Sequence, residues 1–207
     1  MSMMINIEDY FEKGFVVTTV PEDLISKFWF EIYSSNWIDD GDKTYKKIPD
    51  WYKLTENEDI NESKNLKERR ISAIKNKIPD SLVTLSQDLI NNKVFDNLRY
   101  IRENIEFRFS HLWNGAEEIP WHMDSIDGND VLIFIYLTEE VSWDETWGGT
   151  LSLCKNLKDK FLYETTVLPN NATMVVVNNT NPLIKHKVTS LKNLLVNRYT
   201  FSLCYKW

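Results

Sequence analysis

Cysteine is scarce in this chain, with only Cys154 and Cys204 among 207 residues. Two are too few to staple a domain of this length, and neither sits in a CxxC pair, so a disulfide scaffold and a dithiol redox site are disfavoured. Both lie in stretches that read as strands, where a cysteine behaves as a small buried hydrophobe. Excess positive charge is also lacking. Lys and Arg number 24 against 31 Asp and Glu, the net charge is −7, and the bases form no long stripe, so no nucleic-acid partner is expected. Long apolar runs are missing: the longest, VLIFIYL at 131–137, is far short of the roughly 20 residues a spanning helix needs. The start, MSMMINIEDYFEKGF, has no basic segment ahead of an apolar core. A secretory leader is therefore not expected, and the chain reads as soluble, cytoplasmic and independent of membranes.

What is present is an ordinary globular composition, 43% hydrophobic and 27% charged, with no compositional case for disorder. Residues 1–207 are expected to form a single domain, although a break near 92–97 is open. Its first part, 1–97, reads as α-rich. GFVVTTV at 14–20 is a short strand-like run, and PEDLISKFWFEIYSSNWI places Leu24, Phe28, Ile32 and Tyr33 at helical spacing after Pro21. Residues 35–60 are polar and turn-rich, with Trp37, Trp51 and Tyr52 as anchors, and suggest a loop lying over a site. Helical patterns return at 61–78 and 80–92, the first with six bases on what reads as a solvated face.

From about residue 98 the period changes to short β-branched and aromatic runs separated by Gly, Asn, Pro and Asp. Seven or eight strands without an intervening helix predict an α+β, mainly β fold: a sandwich or jelly roll buttressed by the N-terminal helices.

Histidine is as rare as it is informative. There are three, and one stands in IPWHMDSIDG at 119–128, where His122 and Asp124 are separated by Met123 alone. In an extended strand, side chains at i and i+2 share a face, so both can reach one ion. His186, in PLIKHKVTS, alternates with Ile184 and Val188 while Lys185 and Lys187 face the other way. Two histidines and one carboxylate are the donor set associated with non-haem Fe(II), leaving coordination positions open. In NRYTFSLCYKW, Arg198 and Thr200 are again i and i+2. An inward arginine in a β core needs an anion, and its planar fork suits a carboxylate, to which a threonine hydroxyl can add a bond. His111 reads either as a satisfied core histidine or as a residue behind the site. Trp113, Trp121, Trp143 and Trp147 read as core or as aromatic walls.

Taken in order, WHMD, the strand FIYLTEE, the turn and strand WGGTLSL, the distal HKV and an arginine twelve residues after His186 resemble the 2-oxoglutarate- and Fe(II)-dependent oxygenases, most closely their prolyl 4-hydroxylase-like branch. The resemblance covers roughly 98–207, and more loosely GFVVTTVPEDL and the helices after it. It implies a double-stranded β-helix of the cupin type. His122, Asp124 and His186 would bind Fe(II) and form the catalytic centre, and Arg198, Thr200 and Tyr136 would hold 2-oxoglutarate. Gly148 and Gly149 would supply the tight turn. The activity implied is O2-dependent hydroxylation of an unactivated C–H with release of succinate and CO2, ascorbate being a candidate reductant. A free or peptidyl amino acid such as proline, on a peptide or protein substrate, is the first expectation. Thr-Glu after Tyr-Leu, where the branch often has Asn, is a departure. Two alternatives stay open: a catalytically silent jelly-roll binding module, and a cupin-like enzyme of another divalent metal.

Overall fold

The structure, a computed structural model, describes residues 7–39, 46–49, 106–112, 118–124, 131–139, 142–158, 160–193 and 195–205. Among them are two helices, α1 (Ile7–Glu12) and α2 (Glu22–Ser34), and eleven strands. The strands are β1 (Phe15–Thr19), β2 (Trp37–Asp39), β3 (Lys46–Pro49), β4 (Glu106–Leu112), β5 (Ile119–His122) and β6 (Val131–Leu137), then β7 (Leu151–Leu157), β8 (Lys160–Val167), β9 (Thr173–Asn178), β10 (Ile184–Val188) and β11 (Arg198–Tyr205). They form a seven-stranded sheet in the order β1-β9-β6-β11-β4-β3-β2 and a four-stranded sheet in the order β5-β10-β7-β8. Every pairing is antiparallel. No helix among the described residues is long and apolar enough to cross a membrane.

Both faces of the larger sheet are covered, which is why β6 reads as an unbroken apolar run instead of alternating. Leu132, Tyr136, Val175 and Val177 look toward the smaller sheet and pack with Leu151, Leu153, Ile184 and Val188. Ile133, Ile135, Met174, Val176, Phe201 and Leu203 form a second layer with Leu24, Phe28 and Ile32 of α2. The rings of Phe28 and Phe201 meet at 4.9 Å, both fully buried, and burial of each contributes about 1.5–3 kcal/mol.

Three expectations need correction. Tyr33 is on helix α2 but 69% exposed: its hydroxyl donates to Glu139 and its ring stacks on Trp29, because the buried stripe runs along Leu24, Phe28 and Ile32, four residues apart. Pro21, which with Glu22 suits a first helical turn by sequence, is instead the N-cap residue just outside α2, and Glu22 begins it. The 35–60 segment is not all loop, since β2 and β3 lie in it and extend the larger sheet past β4. Strands of three and four residues carry too little alternation to be read from sequence. Trp37 does anchor this region, donating from its indole to the Ile32 carbonyl at 3.1 Å. Trp51, Tyr52, Trp113 and the helices expected at 61–78 and 80–92 lie outside the described residues, as do a lid within 50–60 and a break at 92–97.

One turn positions the site. After the 3-10 segment Glu145–Trp147, Gly148 has φ +72° and Gly149 φ +65°. A Cβ on Gly148 would collide with the Ser190 carbonyl oxygen, so glycine is required both for conformation and for space. The close approach lets the Gly149 amide donate to Ser190 and the Lys192 amide to Trp147, tying the entry of β7 to the segment between β10 and β11.

Candidate metal centre and carboxylate pocket

His122, Asp124 and His186 converge. One ligand atom from each lies within 4.8 Å of the others, with His122 Nε2 at 3.3 Å from Asp124 Oδ1 and His186 Nε2 at 3.6 Å from Asp124 Oδ2. The fold brings the two histidines together directly, because β5 and β10 pair with His122 opposite His186. Their rings sit 4.2 Å apart. β10 alternates as its sequence predicts, with Ile184, His186 and Val188 buried and Lys185 and Lys187 half-exposed. Asp124 lies two residues beyond the end of β5, so it reaches the centre from the chain leaving the strand, not from the strand itself.

Protonation suits a cation. His122 Nδ1 is 2.8 Å from the Pro120 carbonyl, an acceptor only, so Nδ1 carries a proton and Nε2, which faces Asp124, is the nitrogen left to meet a metal. Burial, helped by His122 and Lys185 and opposed by Asp124, pushes the His186 imidazolium down to about 4. At neutral pH the His186 ring is therefore neutral, and its Nε2 converges with His122 Nε2 and the Asp124 carboxylate. This donor set fits a divalent first-row metal.

Beside it is a cavity of about 90 Å³ lined by all three residues and by Leu112, Ile119, Phe134, Tyr136, Leu151, Val188, Arg198, Thr200 and Ser202. That is several times the room one water needs. Arg198 is 5% exposed, its Nε has no hydrogen-bond partner, and among the described residues no carboxylate pairs with it. Its guanidinium lies 4.7 Å from the centre of the Tyr136 ring, a favourable cation–π contact that leaves the charge uncompensated. Burial raises the Tyr136 phenol while Arg198 pulls it back. A buried guanidinium with an unpartnered N–H, facing a polar cavity, is built for an anion. Pairing of β11 with β6 sets Thr200 opposite Tyr136 and Ser202 opposite Phe134, so Arg198, Thr200 and Ser202 present a polar row on one face.

Of the residues anticipated from sequence, His122, Asp124, His186, Arg198, Thr200 and Tyr136 all line this one cavity. Ser202 was missed, although Arg198, Thr200 and Ser202 follow the same period of two. His111 is elsewhere: it pairs with Tyr199 on the opposite face of the sheet, stacks on that ring at 4.5 Å and bonds Asn197 Oδ1 at 2.8 Å. It is a satisfied structural histidine. Trp143 is buried between the sheets, its indole donating to Gly148, with Trp147 packed at its edge. Trp121 stacks on Phe161 under Lys187. None of these three tryptophans lines the cavity. Cys154 is buried and free, as expected.

No family model and no curated protein matches the chain. Solved structures do. A prolyl hydroxylase in complex with a hypoxia inducible factor oxygen degradation domain peptide fragment, from Trichoplax adhaerens, superposes with a TM-score of 0.61 at 16% identity, over 98% of this chain and 87% of that one. A Pseudomonas putida prolyl-4-hydroxylase gives 0.56 at 18% identity, over 100% and 97%. An oxidoreductase of the 2OG-Fe(II) oxygenase family from Burkholderia pseudomallei gives 0.60 at 12% identity, over 96% and 87%. These likenesses establish a fold of the prolyl hydroxylase, jelly-roll type.

Proposed function

We propose that residues 1–207 form one oxygenase domain, a double-stranded β-helix that uses Fe(II) and 2-oxoglutarate to hydroxylate an unactivated C–H of an amino-acid residue, proline being the first candidate. The observation that carries this reading is Arg198: a buried cation without a carboxylate among the described residues, opening into the same cavity as a His-Asp-His cluster. A metal site alone suits many chemistries. A metal site sharing a small cavity with an anion receptor suits a ligand with a chelating head and a carboxylate tail. The superposable prolyl hydroxylases and 2OG-Fe(II) oxygenase support it, and the peptide held by the Trichoplax protein favours a peptide or protein substrate.

In this reading His122, Asp124 and His186 would hold the metal, with the His122 ring oriented by its bond to the Pro120 carbonyl. Arg198 holds the distal carboxylate, Thr200 adds a hydroxyl bond, and Tyr136 packs beneath the guanidinium. The apolar side chains of Leu112, Ile119, Leu151 and Val188 limit water around the reacting atoms. When bound, the metal and 2-oxoglutarate would supply the oxidising power for hydroxylation, O2 being consumed and succinate and CO2 released. Ascorbate would serve only to keep the iron reduced.

The test is an anaerobic titration of metal-free protein with Fe(II) and then 2-oxoglutarate, followed by the visible metal-to-ligand charge-transfer band. The band is expected in the wild type, absent in His122→Ala, and shifted to much higher 2-oxoglutarate concentration in Arg198→Ala. A folded, iron-loaded protein that gives no band would overturn the proposal.

A further inference from the structure

The strand that carries His122, and from whose end the chain runs on to Asp124, is short. β5 has four residues, and its ladder with β10 consists of two pairs, His122 with His186 and Ile119 with Val188, with an irregularity between them. The ladder ends at His122. Asp124, whose carboxylate faces both histidines, lies two residues beyond its end. A carboxylate beyond the end of its strand keeps its aim only where other groups set its peptide plane.

One such group is Asn179. Its side-chain amide donates to the Asp124 carbonyl oxygen at 3.0 Å. It stands in the connection from β9, in the larger sheet, to β10, which carries His186, and this connection is itself tightly pinned. Asn178 Oδ1 accepts from the Thr180 amide at 3.2 Å and the Thr180 hydroxyl at 2.6 Å, and Asn181 Oδ1 accepts from the Leu183 amide at 3.1 Å. The Asn178 amide donates to Gly14 and the Asn156 amide to Leu183. A single pre-set turn thus leads into the strand of one metal-facing histidine and grips the backbone of the metal-facing carboxylate.

Resting on the metal-site reading above, we infer that Asn179 is a positioning residue for Asp124: it sets the carboxylate through the backbone, and so tunes metal affinity without taking part in the 2-oxoglutarate clamp. Groups that orient a metal ligand from outside typically change affinity ten- to a hundredfold when removed. The experiment is a Mn(II) titration of the purified full chain, free ion being read by electron paramagnetic resonance, for wild type and Asn179→Ala. It is joined by the melting temperature of the metal-free proteins and by 2-oxoglutarate affinity at saturating Mn(II). Mn(II) affinity is expected to fall at least tenfold while the other two quantities stay near wild type. Should Asn179→Ala not fold, Asn179→Asp, of the same shape but with no donor at neutral pH, carries the same expectation. Wild-type Mn(II) affinity in a folded variant overturns the inference, and so does a loss shared equally by metal-free stability and 2-oxoglutarate binding, which would mark Asn179 as merely structural. A wild type that binds no Mn(II) overturns the site reading together with this inference, whereas a wild type that binds it isolates the role of Asn179.

Discussion

Strand β11 meets two environments within eight residues. Tyr199, Phe201 and Leu203 turn to the side of the sheet covered by α2, where Phe201 and Leu203 are fully buried among apolar side chains. Arg198, Thr200 and Ser202 turn to the cavity and are almost as buried, yet every one of them is polar. Burial alone does not separate the two faces; what fills the space opposite does. On the helix side the protein supplies its own partners. On the cavity side it presents a guanidinium with an unpartnered N–H, which is a poor way to stabilise a fold and a good way to hold an anion.

The comparison can be broken most severely at Phe201. Phe201→Ala removes a ring packed against Phe28 and should lower stability by about 3–5 kcal/mol, measured by urea denaturation. A loss below about 1 kcal/mol would mean that the helix side is not a close-packed core.

Next in size is the pH response of the polar side. In the metal-free chain His186 titrates at about 4 instead of 6.5, because burial disfavours imidazolium. The unfolded chain takes up a proton between these values that the folded chain refuses. Stability is therefore full above about 6.5 and falls as pH drops toward 4, by up to about 1.4 kcal/mol per pH unit and on the order of 3 kcal/mol in all. Denaturation midpoints at several pH values should show this slope, and His186→Gln should flatten it. An unchanged slope in that variant would place the titrating group elsewhere.

Arg198→Met sharpens the contrast further, because its two effects have opposite signs. Removing a buried charge should leave metal-free stability unchanged or raise it by about 1 kcal/mol. Affinity for 2-oxoglutarate should fall at least a hundredfold, about 2.7 kcal/mol, measured by calorimetry with Mn(II) in place of iron. Joint loss of stability and affinity would make Arg198 a structural residue.

Period-two alternation made much of this legible in the sequence. Ile184, His186 and Val188 against Lys185 and Lys187, and Arg198 and Thr200 against their neighbours, announce which side chains share a face, and pairing then brings those faces together. The spacing of His122 and Asp124 was legible as well, but not that Asp124 lies beyond β5. The hydrogen bond from Asn179 to its backbone joins residues 55 apart, with no local pattern to mark it. Tyr33 was misplaced because helical spacing shows which residues lie near a stripe and not where the stripe ends. Strands β2 and β3 were hidden because their order comes from pairing alongside β4, a tertiary effect that three or four residues do not encode.

The finest distinction between the two faces rests on Thr200. Thr200→Val keeps shape and branching and deletes one hydroxyl. If the cavity side of β11 were an ordinary core that tolerates a stray polar atom, the change would raise stability and leave ligand binding alone. If Thr200 bonds the carboxylate held by Arg198, the lost bond is to a charged group, worth about 1.5–3 kcal/mol, and 2-oxoglutarate affinity should fall about ten- to a hundredfold, with metal affinity unchanged. The order of the two losses matters more than either size. Arg198→Met must exceed Thr200→Val, since a guanidinium neutralises the charge and a hydroxyl only solvates part of it; equal losses would show that the ligand is oriented by shape and not by charge.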